Sequence, residues 1–512
     1  MTDRVKSQST QTRIMLSMNR HSVPLLSKSR FLAGLQCDLR LYLECYKREH
    51  ATPPDAAQRG RFDAGSRVGV IAHRLRPDGI LIDEPFYRHD AAVARTKQLL
   101  KGSEPSALFE AAFTEDGVRI RIDILARTPD RSWDIIEVKS TTSAKDEHIP
   151  DVAIQLHVLE QAGLSVGRAG LAHINRDYVY PGGEYDATQL FAISDITDKA
   201  RAYSQRLMDE LAAKRAVLEL DQPPEIDIGR HCTTPYDCEF IEYCRRDEPN
   251  WSIDELPTIK ADRVAALRAS GIRSIADIPG GTRLTEVQQR VRNAVLSGEP
   301  YTSPALSSEL ARIVSPAHFI DFETINPALP IYPGTRPYEM LPFQWSDHIL
   351  HPDGRLTHHE FLAEGREDPR REFSETLIDQ LAGAATIVTY SAFETTQLRL
   401  LGDALPDLRR AFDALQSIAW VDLLQIVRAH YYHPNFHGSV SIKSVLPALV
   451  PDFGYGDLDI QEGEVASNAF LEAIDEETIP AKSQQIRGDL LAYCERDTEA
   501  MIRVVEALRA TV

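Results

Sequence analysis

The stretch Gly117-Val118-Arg119-Ile120-Arg121-Ile122-Asp123-Ile124-Leu125-Ala126, followed after the turn Thr128-Pro129-Asp130-Arg131-Ser132 by Trp133-Asp134-Ile135-Ile136-Glu137-Val138-Lys139, decides how the first half of the chain is read. Strict alternation predicts a strand with Ile120, Ile122 and Ile124 on one face and Arg119, Arg121 and Asp123 on the other. Glu137 and Lys139 are two apart, so they share a face of the second strand. Joined as a hairpin, the strands bring Asp123 beside Glu137. Two carboxylates so placed suit Mg²⁺ or Mn²⁺, which prefer oxygen ligands. A metal there activates water and polarises a phosphate, and Lys139 orients that water or stabilises developing charge. A helix-like segment, Asp151 to Leu159, follows, with Gln155 placed to reach the site.

Acid-x-Lys after an upstream Asp, with a helical glutamine behind it, resembles the RecB-like branch of the PD-(D/E)XK nucleases. By that resemblance Asp123 and Glu137 are metal ligands, Lys139 is catalytic and Gln155 supports them. Ile122 stands where that branch has proline. The branch's upstream histidine ligand has a counterpart in His73, or Glu110 substitutes for it.

Cys232, Cys238 and Cys244 are each six apart, and Cys37 lies far upstream. Structural zinc takes cysteines in closer pairs. One early and three late cysteines resemble the iron–sulfur exonucleases of the RecB branch, which implies a [4Fe–4S] cluster on these four thiolates. Zinc and unliganded thiols are the alternatives, and Cys45 is the rival fourth ligand. Cys494 reads as a packed helical residue.

Ala317-His318-Phe319-Ile320-Asp321-Phe322-Glu323-Thr324 is a buried-looking strand carrying two acids on one face. Residues 487–508 read as a helix on which Tyr493 and Asp497 are neighbours at i, i+4. The pattern resembles the DnaQ-type DEDD exonucleases of the tyrosine-bearing subclass, whose RNase H-like fold binds two metals with four acids. The resemblance implies Asp321, Glu323 and Asp497 as ligands and Tyr493 as the residue that positions water. Glu394 is the remaining acid, with Asp422 its rival. The family's Asn-x-x-x-Phe-Asp is replaced by Ser391-Ala392-Phe393-Glu394. In the proline-rich loop 326–343 Arg336 is a candidate phosphate contact, and Lys443 is another.

The chain has 512 residues, enough for two or three cores. A hydrophobic fraction of 43% and a charged fraction of 26% are those of a soluble globular protein. No apolar run reaches membrane-span length. No signal peptide opens the chain, and six cysteines make no disulfide framework, so a reducing cytoplasm is expected. The net charge of −19 opposes indiscriminate coating of DNA, although bound cations offset clustered acids. The expected organisation is α/β and multidomain. A basic tail occupies 1–25, disordered or preceding a true start at Met15 or Met18, with a transit peptide or phosphate-binding arm as alternatives. A PD-(D/E)XK restriction-endonuclease-like domain with the iron–sulfur cysteines follows at 26–250. A small helical connector at 251–300 is similar to a helix–hairpin–helix, a linker covers 301–315, and an RNase H-like DEDD exonuclease domain runs from 316 to 512.

This order of features resembles the bacterial family called domain of unknown function 2779. Asp134-Ile135-Ile136-Glu137-Val138-Lys139-Ser140, Pro235-Tyr236-Asp237-Cys238, Gly334-Thr335-Arg336-Pro337-Tyr338 and Tyr493-Cys494-Glu495-Arg496-Asp497-Thr498 carry that likeness. The expectation is a metal-dependent DNA nuclease with a 3′–5′ exonuclease centre, acting in repair, processing or defence without a membrane. RNA processing, or a nucleic-acid-binding scaffold with degenerate sites, are the alternatives. A helicase or repair partner is left open.

Overall fold

The computed structural model describes residues 23–102 and 105–512. The expected basic tail lies outside the described residues except for its last three. The protein is a mixed α/β multidomain chain of two compact units. The first comprises residues up to 53, 69–174 and 191–246; the second comprises 54–68, 175–190 and 247–512.

The first unit is built on a seven-stranded mixed sheet. Its strands are β1 (Leu26–Ser27), β2 (Ile80–Leu81), β3 (Ala107–Glu115), β4 (Val118–Arg127), β5 (Trp133–Lys139), β6 (Val166–Ile174) and β7 (Phe191–Asp195). The main path runs β2-β3-β4-β5-β6-β7, and β1 pairs in parallel with β4 at Val118 and Arg119. β3, β4 and β5 are antiparallel neighbours, whereas β5 and β6 are parallel. Val118, Ile120, Ile122 and Ile124 are buried, and the residues alternating with them are not. Each buried Ile contributes about 1.5–3 kcal/mol. A one-residue slip would bury Arg119, Arg121 and Asp123 in their place, so the register is strongly specified. The helix Ile149–Gln161 begins with proline in its first turn, where a missing N–H costs nothing. It is buried from Asp151 to Gln155 and packs against β3, β4 and β6 as well as the helix Thr197–Leu218.

The second unit holds β8 (Tyr301–Thr302), β9 (Ala317–Ile325), β10 (Leu341–Leu350), β11 (Leu356–Leu362), β12 (Thr386–Thr389), β13 (Ala419–Asp422) and β14 (Tyr431–Tyr432). Its five-stranded sheet has the order β11-β10-β9-β12-β13. β11, β10 and β9 are antiparallel, and β9, β12 and β13 are parallel. The central β9 is buried along both faces apart from a few positions, as its near-continuous apolar run requires. The helix Pro480–Arg509 lies against β9 and β10 with Leu490, Tyr493, Cys494, Asp497 and Met501 buried at helical spacing.

Residues 251–315 differ from a free connector and linker. Ile253, Leu256, Val264, Leu267, Leu306 and Leu310 share one apolar core with Ala317 and Phe319, and β8 pairs with β14. Two segments from within the first expected domain also fall in the second unit. Arg67 pairs with Asp475 at 3.2 Å, and Tyr180 and Gly334 exchange backbone hydrogen bonds of 2.9 and 2.7 Å with Thr335 and Tyr180. No described helix is long and apolar enough to cross a membrane.

Candidate functional site

Three groups of side chains gather in the described residues. The first forms where β5 meets the helix Ile149–Gln161. The Val138 amide donates to Asp123 Oδ2 at 2.7 Å, fixing the upstream acid beside Glu137. Lys139 Nζ lies 2.7 Å from both Glu137 Oε1 and Asp151 Oδ2. Gln155 Nε2 donates to Glu137 Oε2 at 2.7 Å and to Asp151 Oδ1 at 3.0 Å. The structure thus brings Asp123, Glu137, Lys139 and Gln155 together, as the alternation and the helical glutamine suggested.

Two members were not anticipated. Asp151 is one helical turn before Gln155, a spacing that in retrospect marks a shared face. Lys28, 109 residues before Glu137, bonds both of its oxygens at 2.9 and 3.1 Å and had no sequence signal. Glu110 joins through its charge, felt at Asp123. His73 instead stacks on Phe109, with ring centroids 4.1 Å apart.

Electrostatics explain the cluster. Burial pushes the Glu137 carboxyl up to about 7, and Asp123 and Asp151 push the same way against the two lysines. Burial also raises Asp123. For Asp151 burial acts upward, but Lys28 and Lys139 outweigh it and hold the acid well below its usual range. Four carboxylates, Glu110 included, face three cations: the ammonium groups of Lys28 and Lys139, and the Arg121 guanidinium, which acts on Glu110. The uncompensated charge and the all-oxygen donors fit a hard divalent cation.

The second group forms between β9, the helix Phe393–Ala404 and the helix Pro480–Arg509. Asp321 and Glu323 come from β9, and Asp497 and Tyr493 from the long helix. Glu394, in the first turn of its helix, is 4% exposed, and its Oε2 has no hydrogen-bond partner. An orphaned buried carboxylate oxygen is costly unless a cation meets it. Burial raises Asp321 and Glu323 well above the carboxylate range, and Asp497 and Glu394 add to the shift in both. Burial also raises Asp497, and it carries Glu394 up to about 8. Lys443 opposes this crowd by its charge, and the Tyr455 hydroxyl opposes it at Asp497 by a hydrogen bond. Lys443 Nζ lies 3.3 Å from the Tyr493 hydroxyl and favours the ionised forms of Glu323 and Asp497. Four acids against one lysine fit divalent cations still more strongly.

Tyr455, unmarked in the sequence, donates its hydroxyl hydrogen bond to Asp497 Oδ1. Cys494 is buried as expected of a packed helical residue, but its thiol also lies 3.7 Å from Asp321 Oδ2. Asp321, Glu323 and Cys494 are the one trio of described residues whose ligand atoms all fall within 4.8 Å. Asp422 caps the helix Leu423–His430 by accepting from the Gln425 amide at 3.1 Å, and its charge reaches Glu394. Arg336 pairs with Asp177 at 3.8 Å.

The third group is Cys37, Cys232, Cys238 and Cys244, which line one small pocket with Leu39, Leu43 and Phe240. Cys45 is not in its wall and packs against the main core of the first unit. Gln36 ties the two cysteine segments together by donating to the His231 and Tyr236 carbonyls at 2.6 and 2.7 Å. Burial raises the thiols of Cys37, Cys238 and Cys244, the second to about 11. Among the described residues these sulfurs do not form a group as tight as that of Asp321, Glu323 and Cys494.

Residues 318–441 match the model of the family described as "Domain of unknown function (DUF2779)". The match supports that family. It spans Asp321, Glu323, Glu394 and Asp422 and ends before Lys443 and the Tyr493–Asp497 pair. No curated protein matches the chain. A solved structure titled "Crystal structure of SSO0001" has 15% identity over 45% of this chain and 90% of its own, with a TM-score of 0.21. A likeness so distant bears on neither fold nor function.

Proposed function

We propose that the protein is a metal-dependent nuclease that hydrolyses phosphodiester bonds in DNA at two centres. The observation that carries this reading is the convergence of Asp321, Glu323, Glu394 and Asp497 from three separate segments, with Lys443 and Tyr493 beside them. So many buried acids with one counter-charge are expensive without cations, and a scaffold has no use for them. The order β11-β10-β9-β12-β13, antiparallel on one side of β9 and parallel on the other, supports an RNase H-like reading of this part. The hairpin that bears Asp123, Glu137 and Lys139, backed by Gln155, supports a PD-(D/E)XK reading of the first unit.

Bound Mg²⁺ or Mn²⁺ would be held by Asp123 and Glu137 at the first centre and by Asp321, Glu323, Glu394 and Asp497 at the second. There it supplies an acidified water and counter-charge for the phosphate. The chain's own groups do the rest. Lys139, clamped by two carboxylates, presents a fixed positive charge to the phosphate. The Tyr493 hydroxyl, hydrogen-bonded to Asp497 and next to Lys443, positions the attacking water for trimming 3′ ends. Cys37, Cys232, Cys238 and Cys244 would hold a [4Fe–4S] cluster that ties the two ends of the first unit's chain together. Six unpaired cysteines favour a reducing, cytoplasmic setting.

The test is release of acid-soluble nucleotide from single-stranded DNA by anaerobically purified protein with Mn²⁺. Release that disappears in the double variant Lys139→Ala, Asp321→Ala supports the reading. Intact DNA with wild-type protein would move the activity to RNA or remove it altogether.

A further inference from the structure

The Lys28 contacts at the first centre are unusual in kind. Leu26 is buried, and β1 pairs in parallel with the start of β4, so the chain arrives beside the site on a fixed strand. Ser27 then caps the helix Lys28–Gln36 by accepting from the Arg30 amide at 3.2 Å. Lys28, the first residue of that helix, is thereby aimed at the acids. Its Nζ lies 2.9 and 3.1 Å from the two oxygens of Glu137 and 3.1 Å from Asp151 Oδ1. The other Asp151 oxygen is taken by Lys139, and Gln155 bonds both acids as well.

The buried pair Glu137 and Asp151 is thus saturated by two ammonium groups and one amide. Glu137 is nonetheless one of the two acids that a divalent ion needs. A single-charge ammonium that engages both oxygens of a carboxylate stands in direct competition with a cation for them.

We propose that Lys28 is the resident cation of the first centre: it holds Glu137 and Asp151 in place when no divalent ion is bound, and the ion must displace it from Glu137 to bind. This rests on the metal-binding part of the proposed function. Lys28 is a positioning residue in this scheme. Its role predicts a sign opposite to that of mere structural support, because a prop that is removed loosens the acids and weakens metal binding.

The test uses the full chain carrying Asp321→Asn and Asp497→Asn, so that a Mn²⁺ titration reads the first centre. Adding Lys28→Met should tighten Mn²⁺ binding by about ten-fold or more, the effect of losing one charge-assisted bond. In the wild-type protein, amine labelling at Lys28 read by mass spectrometry should rise when Mn²⁺ is added, because the displaced ammonium becomes accessible. Unchanged or weaker Mn²⁺ binding by a folded Lys28→Met protein overturns the proposal. So does Lys28 labelling that stays level or falls while Mn²⁺ binds. If Lys28→Met does not fold, the labelling result decides. If Mn²⁺ binds to neither protein, the metal reading of this centre fails and the Lys28 proposal falls with it. Binding that does not depend on Lys28 sinks the proposal alone.

Discussion

Replacing Glu394 by Gln should change how the metal-free second unit responds to pH. The carboxyl is buried, has one orphaned oxygen, and titrates at about 8 where an unfolded Glu titrates at 4.5. Between these values the folded state binds more protons than the unfolded state, so stability falls as pH rises. At pH 7 the unfolded carboxyl is almost fully ionised and the folded one is mostly protonated. With 1.36 kcal/mol per pH unit, the accumulated penalty is about 3 kcal/mol. Gln has no such penalty, although its buried amide carries a constant cost of about 1–3 kcal/mol. That constant cancels when pH is varied. The stability difference between Glu394→Gln and wild type should therefore shift in favour of the variant by about 3 kcal/mol between pH 4.5 and pH 7. In melting temperature this is roughly 5 °C for a unit of this size. Urea or thermal unfolding of chelator-treated protein across that range measures it. A difference that stays flat with pH would refute the claim that Glu394 is a buried, strained acid.

Mn²⁺ affinity at the second centre should rise with pH, because Asp321, Glu323, Glu394 and Asp497 hold protons that the ion must expel; calorimetry in buffers of different ionisation enthalpy counts the protons released. Tyr455→Phe removes a hydrogen bond that favours the ionised form of Asp497. A charge-assisted bond of about 1.5–3 kcal/mol implies Mn²⁺ binding weaker by roughly ten-fold or more at neutral pH, read by titration. Cys238→Ser should abolish the visible absorbance of anaerobically purified protein, whereas Cys45→Ser should leave it intact, because only the former lines the four-cysteine pocket.

What the sequence discloses about the sites follows from how local the signal is. The β4–β5 hairpin was readable because alternation is a property of neighbours, and the one-residue register fixes which face holds Asp123. The i, i+2 pair Asp321 and Glu323 and the i, i+4 pair Tyr493 and Asp497 were readable for the same reason. Lys28 and Tyr455 were not, because each reaches its acid across a tertiary contact with no periodic trace. Chain position puts segments 54–68 and 175–190 in the first domain, whereas long-range pairs such as Arg67–Asp475 place them in the second unit. The stretch 301–315 read as a linker from its Pro and Ser content, yet Leu306 and Leu310 anchor it in a core.

The most direct test of two working centres is the product ladder from 3′- and 5′-labelled single-stranded DNA. Wild type, Lys139→Ala and Asp321→Ala are compared with Mn²⁺ after anaerobic purification. The account predicts that each substitution removes a different set of products, with Asp321→Ala abolishing stepwise loss from the 3′ end. A wild-type ladder that neither substitution alters would contradict it.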